Sequence, residues 1–311
     1  MAFDLENINR AVTDDPKGFI AECDRLYNER IAKTAEKIIA NMGRSPIVLL
    51  SGPSGSGKTT TAMKLRDELS RRGVQSHSIS MDNYFKTVRP ETVPRTETGE
   101  PDLESPLCMD MELLNEHFSQ LSRGERIYVP KYEFARQMRS IKFSMSLRLE
   151  DNEVAIFEGI HALNDAITGA HPEAFKLYVS ARSNVVDGRG EYAFKGTWLR
   201  LTRRVVRDNL FRGCDPTDTM RMWENVRHGE IRNISPFKNK ADVQLDTAFG
   251  YEPSIMRPIA EPLFLKAPKD IPYQELLQVG PAFQNFVPLD LKYLPNDAMI
   301  REFTGGGIYE Y

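Results

Sequence analysis

The chain has 311 residues, of which 41% are hydrophobic, and a formal net charge of -3. This length suits one large domain with extensions, and the slight negative charge argues against nucleic acid as a partner. The three cysteines lie far apart and form no C-x-x-C pair, so we expect neither a disulfide framework nor a zinc site, as in a reducing compartment. The charged first residues do not resemble a secretory signal and no apolar run is long enough to span a membrane, which predicts a cytoplasmic protein with no membrane partner.

The first predicted element is a helix over residues 16–43, in which apolar side chains recur at helical spacing and a glycine can end the helix. We interpret it as a helix packed on the edge of the main domain. The predicted organisation is an N-terminal helical extension (1–44), a main domain (45–250) and a C-terminal appendage (251–311). Prolines are frequent in the appendage, for which we expect a mixture of loop, helix and strand.

A glycine-rich loop follows the first predicted strand. The run from Gly52 to Thr59 fits the pattern G-x-x-x-x-G-K-[ST], with an apolar strand at 46–51 before it and a helix at 60–72 after it. In this context the backbone N–H groups of the loop and the helix start bind phosphates, Lys58 reaches the β- and γ-phosphates, and the Thr59 hydroxyl binds Mg²⁺. The pattern therefore predicts a P-loop that binds a nucleoside triphosphate. The residues assigned to it are Gly52, Ser54, Gly55, Ser56, Gly57, Lys58, Thr59 and Thr60.

Strands and helices alternate along the rest of the main domain. The predicted elements are a strand at 74–81, a long loop at 86–106, a helix at 110–121, an extended segment at 125–131, a half-exposed hairpin at 136–149, a buried strand at 154–159, a strand at 175–180, a helix at 196–211 and a short strand at 241–246. This alternation predicts an α/β fold with a parallel sheet covered by helices on both faces.

Two acidic residues follow predicted strands. Asp82 comes directly after the strand at 74–81, and Glu158 lies at the end of the strand at 154–159. Ligands of open parallel sheets bind at the carboxyl ends of the strands, and phosphoryl transfer needs a metal ligand besides Thr59 and a group that deprotonates the acceptor. We interpret Asp82 as the general base and Glu158 as a Mg²⁺ ligand, directly or through water. The alternative is that each carboxylate caps a helix or forms a turn.

Arginines are concentrated in the predicted helix at 196–211 and just after it. They are Arg200, Arg203, Arg204, Arg207 and Arg212. Positions 200, 204 and 207 share one helix face, and Asp208 is the acid close enough in sequence to pair with them. One interpretation is a solvated face paired with acids. The other is a mobile lid whose arginines neutralise the transferring phosphoryl group.

A family resemblance rests on the order of six motifs. They are Gly52–Thr59, Ser80–Phe85, Pro130–Phe134, Phe157–His161, Arg203–Gly213 and Pro236–Val243. On these motifs, over about residues 30–265, the chain resembles the uridine kinase family in the phosphoribulokinase/uridine kinase group of P-loop kinases. It is most similar to a bacterial uridine-kinase-like branch with the ending Ile300–Gly306. The resemblance implies a nucleoside-kinase-like domain at 45–250, with an arginine-rich lid and a small acceptor-site hairpin.

The resemblance also implies roles for individual residues. Asp82 matches the catalytic base for a ribose 5′-hydroxyl, and Thr59 and Glu158 match magnesium ligands, with Asp82 close to the metal. The residues that match phosphate-holding lid arginines are Arg204, Arg207 and Arg212. Together with Lys58, Arg207 and Arg212 are therefore expected to act on the transferring phosphoryl group, and the expected cofactors are ATP and Mg²⁺.

The acceptor pocket is where the chain departs from the family pattern. The residues assigned to this pocket are Tyr84, Phe85, Glu104, Tyr132, Gln137 and Arg139. Glu104 replaces an aspartate that grips the ribose hydroxyls, and Gln137 replaces a histidine typical of pyrimidine-specific relatives. The usual Phe-Tyr order is inverted at positions 84 and 85, and Cys214 stands where the family has an arginine after the lid. A site recognises its substrate through specifically placed hydrogen-bonding groups. These departures therefore leave open which nucleobase the acceptor carries, or whether it carries one.

The leading hypothesis is a kinase that phosphorylates the 5′-hydroxyl of uridine or cytidine from ATP. An alternative within the same class is another small hydroxyl acceptor, such as a sugar phosphate or a pantothenate-like molecule. A different class would be a module that senses ATP without turnover, against which the presence of both Asp82 and Glu158 argues. The expected partners are the nucleoside and ATP, and the sequence leaves homo-oligomerisation open.

Overall fold

The computed structural model describes residues 2–95, 99, 101–102, 105–271 and 273–310. In its first half the elements are β1 (Ala2–Asp4), α1 (Leu5–Asp14), α2 (Pro16–Asn41), β2 (Ile47–Ser51), α3 (Lys58–Arg71), β3 (Gln75–Ser80), α4 (Met111–Ser122), β4 (Ile127–Glu133), β5 (Met138–Leu147) and β6 (Glu153–Glu158). In its second half they are α5 (Asp165–Thr168), β7 (Phe175–Ser180), β8 (Asn184–Val186), β9 (Tyr192–Phe194), α6 (Gly196–Phe211), α7 (Pro216–Asn233), β10 (Val243–Asp246), α8 (Glu252–Phe264), α9 (Val279–Phe283) and α10 (Arg301–Thr304).

Five parallel strands form the central sheet, in the order β10-β7-β2-β6-β3. Leu49 of β2 lies opposite Phe157 of β6, and Ser51 lies opposite Tyr178 of β7. The carboxyl ends of parallel strands meet at one edge of a sheet. Because β2, β6 and β3 are neighbours, the segments that follow these three strands lie side by side at that edge. The predicted α/β fold with a parallel sheet is confirmed.

Both faces of the sheet are covered, which explains the continuous apolar runs of its strands. Val48 and Leu50 of β2 point into a core formed with α2, α3, α6 and α8. Ile47 and Leu49 point to the other face, into a core formed with α4 and the β4-β5 pair. The alternation of side chains along the strand thus divides one apolar run between two cores.

Two smaller sheets flank the central one. β4 and β5 pair antiparallel as a hairpin, with Tyr132 and Gln137 at one end of it. The hairpin predicted within 136–149 is instead the single strand β5, whose partner β4 is the segment predicted as extended at 125–131. β1 pairs parallel with β8, and β8 pairs antiparallel with β9. The strand β1 and the helix α1 were not predicted, nor was the long helix α7, although Asp215 caps its start directly before Pro216.

The secondary structure of the C-terminal residues differs from the predicted mixture of loop, helix and strand. Between residues 251 and 310, the described part contains helices and turns and no strand. The helix α8 contains Pro258 and Pro262, which normally disrupt a helix. The carbonyl of Ser254, which would have bonded the missing N–H of Pro258, instead accepts from the Leu289 N–H at 3.0 Å. A tertiary contact therefore satisfies the carbonyl that Pro258 leaves without a helical partner.

The C-terminal segment and the N-terminal helices pack on the same core as the central sheet. Ile31 of α2, Met299 and Phe303 are all buried in the cluster that contains Val48 and Leu50. The division of the chain at residues 44 and 250 stays a prediction. None of the helices in the described ranges is long and apolar enough to cross a membrane.

Candidate functional site

The P-loop joins β2 to α3 at the carboxyl edge of the sheet. Its backbone is left-handed at Gly55 and Gly57, with φ of 72° and 79°, which favours glycine. A Cβ on Gly55 would lie 2.5 Å from the Arg200 carbonyl oxygen, and one on Gly52 would lie 2.0 Å from the Val179 carbonyl oxygen. The glycines of the motif are therefore required by both conformation and close packing.

Side chains from outside the motif bind three successive carbonyl groups of the loop. Arg200 Nη1 donates to the Ser54 oxygen at 3.3 Å, and Arg203 Nη1 donates to the Gly55 oxygen at 3.1 Å. The Thr247 hydroxyl donates to the Ser56 oxygen at 2.7 Å. These bonds fix the orientation of the loop's peptide groups, on which phosphate binding by backbone N–H groups depends.

Two buried ion pairs hold these arginines in place. Arg203 and Glu252 are both fully buried, with Nε–Oε1 and Nη2–Oε2 distances of 2.6 and 2.7 Å. Arg200 pairs with Glu230 of α7 at 2.9 Å. Asp208, the acid close to them in sequence, is therefore not the partner of these two residues. Their partners lie 49 and 30 positions away in sequence, where local spacing gives no signal.

Lys58, Asp82 and Glu158 form the charged centre of the site. Burial raises the pKa of Glu158 to about 7, while Lys58 lowers it. Burial also raises the pKa of Asp82, against the lowering effect of Lys58 and Arg212. Burial lowers the pKa of Lys58, and the two carboxylates raise it. Each group is thus costly to bury alone. Lys58 stabilises the charged forms of both carboxylates, whereas the charge of Asp82 disfavours that of Glu158.

The residues present fit a magnesium ion. The Thr59 hydroxyl lies 3.4 Å from each carboxylate oxygen of Glu158, so a hydroxyl and a carboxylate, both hard oxygen ligands, share one position beside the P-loop. No group of three or more His, Cys, Asp or Glu in the described ranges is arranged to hold a metal. Mg²⁺ is usually bound by one or two carboxylates together with water and substrate phosphates, which is the ligand set available here.

One cavity of about 510 Å³ collects most of the predicted site residues. Those on its wall are Ser54, Gly55, Ser56, Gly57, Lys58, Thr59, Asp82, Phe85, Tyr132, Gln137, Glu158, Arg204, Arg207 and Arg212. Residues predicted for the donor and for the acceptor thus share one continuous space.

The structure places other predicted residues behind the wall. The Tyr84 hydroxyl is in the core, 2.8 Å from His117 Nδ1. Arg139 pairs with Asp110 at 2.9 Å and donates to the Tyr84 carbonyl oxygen. Neither is among the residues that line the cavity, so both are placed to support the wall rather than to touch a ligand. Gly52 also lies behind it, and Glu104 falls outside the described residues.

The three arginines predicted to belong to a lid, Arg204, Arg207 and Arg212, lie at the cavity with different surroundings. Arg204 Nη1 donates to the Ser54 hydroxyl at 3.1 Å. Arg207 pairs with Asp208 at 2.7 Å and is mostly buried, whereas Arg212 lies 3.5 Å from Asp208 and keeps 58% of its side chain exposed. Arg204 also lies 3.5 Å from Asp208, so the three arginines share one carboxylate. Arg212 is the most exposed of them and retains the greatest freedom to reach a ligand.

An aromatic cluster forms the far end of the cavity. The ring centres of Phe85 and Tyr132 lie 5.6 Å apart, and those of Tyr132 and Phe134 lie 5.1 Å apart. Beside them, Gln137 has a left-handed backbone with φ of 50°, an unusual conformation for a residue with a side chain. Its carbonyl accepts from the Val88 N–H at 3.0 Å, which ties the loop after Asp82 to the hairpin.

Local sequence marks neither Thr247 nor Glu302 as part of the site. Thr247 follows β10 and reaches the P-loop from the far edge of the sheet. Glu302 lies near the C-terminus, yet it lines the cavity and bonds to Thr60. The glutamate does lie in the C-terminal motif Ile300–Gly306, but the motif alone does not indicate what its side chain contacts.

Comparison with protein families and curated proteins gives a consistent result. The model of the phosphoribulokinase/uridine kinase family matches residues 47–248. The uridine kinase of Staphylococcus haemolyticus is 28% identical over 208 residues, which is 65% of this chain and 87% of that protein. The uridine kinase of Halobacterium salinarum is 27% identical over 195 residues, which is 62% of this chain and 76% of that protein.

Solved structures with a related arrangement include a possible uridine kinase from Bacillus stearothermophilus. It is 20% identical, covers 70% of this chain and 98% of that one, and has a TM-score of 0.44. The D-glycerate 3-kinase of Cryptococcus neoformans is 14% identical, covers 67% of this chain and 89% of that one, and has a TM-score of 0.45.

Proposed function

Because the chain belongs to the phosphoribulokinase/uridine kinase family and is an ATP-dependent kinase, we propose that it phosphorylates the 5′-hydroxyl of a nucleoside, with uridine or cytidine as the leading acceptor. One observation carries this proposal. A single cavity is lined by the P-loop at one end, by aromatic side chains at the other, and by Asp82 as well.

Asp82 is the proposed general base. As the acceptor oxygen attacks the γ-phosphorus, the carboxylate takes the hydroxyl proton, and the bond between the γ-phosphorus and the bridging oxygen of ADP breaks. Burial raises the pKa of Asp82, while Lys58 and Arg212 lower it. A raised pKa makes the carboxylate a better proton acceptor, and the two cations keep an ionised fraction available.

Positive side chains neutralise the phosphoryl group as it moves. Lys58 is proposed to bind the β- and γ-phosphates. Arg207 and Arg212, which line the same cavity, are proposed to approach the transferring phosphoryl group. Fixed charges in a site that excludes water stabilise the transition state more than they would in bulk solvent.

Thr59 and Glu158 are the proposed ligands of Mg²⁺, with Asp82 nearby. The ion supplies charge that offsets the triphosphate. Glu158 must be ionised to serve as a ligand, and its pKa of about 7 places this requirement within the physiological range.

The aromatic end of the cavity is proposed to hold the nucleobase of the acceptor. Phe85, Tyr132 and Phe134 offer ring faces and edges against which a flat heterocycle can stack. The amide of Gln137 both donates and accepts hydrogen bonds, so it can pair with the edge of a pyrimidine.

A second acceptor class is favoured by two cations near the same end. Lys86 and Arg89 also line the cavity, and a cationic wall suits an acceptor that already carries a phosphate, such as a sugar phosphate.

The test is ADP release from MgATP across a panel of uridine, cytidine, purine nucleosides, pantothenate and sugar phosphates. Turnover with uridine or cytidine at millimolar concentration supports the nucleoside proposal. Turnover confined to sugar phosphates would replace it with the second class. In that case Lys86→Ala and Arg89→Ala should raise the acceptor KM, whereas for a nucleoside they should leave it nearly unchanged.

A further inference from the structure

A carboxylate from the C-terminal segment sits at the start of the P-loop helix. Glu302 Oε2 accepts from the Thr60 N–H at 3.0 Å and from the Thr60 hydroxyl at 2.6 Å. The two residues are 242 positions apart in sequence. Glu302 also lines the cavity that contains the P-loop, so its negative charge belongs to the wall of the donor site.

The amide that Glu302 binds is one that a phosphate is expected to use. The helix α3 begins at Lys58. The first helical hydrogen bond at this end is the one from the Thr61 N–H to the Gly57 carbonyl oxygen, at 3.0 Å. The N–H groups of the first turn of a helix lack partners within the helix. After a P-loop these groups, together with the loop amides, bind the phosphates of a nucleotide.

The segment that carries Glu302 is firmly held, so the contact is built into the fold. Phe303 is fully buried, with the Arg203 guanidinium 5.3 Å from its ring centre. Arg301 donates to the carbonyl oxygens of Leu291 and Leu294. A Cβ added to Gly57 would lie 2.6 Å from the sulfur of Met299, which shows how closely the segment covers the P-loop.

We propose that Glu302 is a resident anion of the donor site that a nucleotide phosphate must displace from Thr60. This inference rests on the proposed placement of the donor phosphates at the P-loop. The phosphate and the carboxylate compete for the Thr60 N–H, and two negative charges brought close together repel each other. Glu302 therefore weakens the binding of every nucleotide that carries phosphate at this position, ADP included, and promotes release of the product.

Glu302→Gln tests the proposal because it removes the charge and keeps the size of the side chain. The matched control is Asp297→Asn, which removes a charge from the same segment at a residue paired with Lys64 and not among those lining the cavity. Titration calorimetry with ADP, pyrophosphate and adenosine would be run on wild-type protein and both variants, with melting temperatures recorded.

We expect Glu302→Gln to bind ADP and pyrophosphate about tenfold more tightly or better, since a juxtaposed like charge is removed. Adenosine, which has no phosphate, should bind as before, and Asp297→Asn should resemble the wild type. Unchanged or weaker binding of ADP by Glu302→Gln would overturn the proposal, as would an equal gain in Asp297→Asn or for adenosine. If no form of the protein binds ADP or pyrophosphate, the proposed donor site fails as well.

Hydrogen exchange on the wild-type protein gives an independent measurement if Glu302→Gln does not fold. Addition of ADP should slow exchange in the P-loop and accelerate it at residues 298–305, because that segment loses its bond to Thr60. Slower exchange in both segments would contradict displacement of Glu302.

Discussion

The two ends of the cavity are built in different ways. At the donor end, phosphates would meet backbone N–H groups, whose direction is set by buried side chains behind the loop, among them Arg203 and Thr247. At the acceptor end, the wall consists of side chains, and Phe134 keeps 61% of its surface exposed. A backbone site with buried support is sensitive to distant substitutions, whereas a side-chain site can change its ligand through a few local ones. The following predictions test this difference.

The largest effect is expected where the two ends meet. Asp82→Asn keeps the shape of the side chain and removes the proton acceptor, so kcat should fall by about 10²- to 10⁴-fold. The Kd of ATP, measured separately by calorimetry, should stay nearly unchanged. A loss of turnover below about tenfold would remove Asp82 from the role of base.

At the donor end, Lys58→Ala should lower kcat/KM by about 10²- to 10³-fold, as expected for loss of a fixed charge that stabilises the transition state. The fold should survive, because Lys58 contacts its own loop through the Pro53 carbonyl and contributes charge rather than packing. Circular dichroism would check folding alongside the kinetics. Normal turnover in a folded variant would separate the P-loop from the reaction.

Ionisation of Glu158 should have opposite effects on the stability of the protein and on its activity. Burial raises its pKa from 4.5 to about 7, so the folded protein holds the proton more tightly than the unfolded chain does. The stabilisation from this protonation is complete below pH 4.5 and is lost as the pH rises through about 7. Without nucleotide or Mg²⁺, Glu158→Gln should therefore be more stable than wild type at pH 8, by about 3 kcal/mol, and nearly equal at pH 4.

Activity should follow the opposite course, because the ionised carboxylate is the proposed metal ligand. Wild-type kcat/KM should fall as the pH drops below about 7, and Glu158→Gln should be nearly inactive at every pH. Urea unfolding at two pH values and a pH–rate profile measure the two effects. Equal stability of the two proteins at pH 8 would contradict the cost assigned to the buried carboxylate.

Thr247→Val tests whether support from outside the motif shapes the donor end. Valine keeps the branched shape and removes the bond to the Ser56 carbonyl, which leaves a buried acceptor unpaired. The KM of ATP should rise roughly tenfold, with little change in the acceptor KM. Thr202→Val is the matched control, since Thr202 is equally buried in α6. Equal effects of both substitutions would indicate a general packing defect.

The smallest effect is expected at Gln137, where function and backbone strain coincide. Gln137→Gly relieves the left-handed conformation and should stabilise the fold by about 0.5–1 kcal/mol. It should also raise the acceptor KM about fivefold through loss of one hydrogen bond. Gln137→Ala is the control, because it removes the same side chain without relieving the backbone. Stabilisation by alanine as well as glycine would rule out strain as the cause.

Local sequence was enough to predict the features that depend on neighbouring residues. The strand, glycine loop and helix around Gly52–Thr59 are contiguous, and the helix at 196–211 and the strand at 175–180 were predicted with the bounds that the structure has. Asp82 and Glu158 were predicted at the cavity because residues that follow neighbouring parallel strands must lie at the same edge of the sheet.

Only the tertiary structure decided which distant groups meet. Arg200 and Arg203 are placed on their helix by sequence, but Glu230 and Glu252 reach them from other helices and turn a predicted charged face into buried support for the P-loop. Likewise, Glu302 reaches Thr60 across 242 positions. Hydrogen bonds and ion pairs act over a few ångströms in space, and no spacing rule along the chain reports on contacts that form when separate elements pack together.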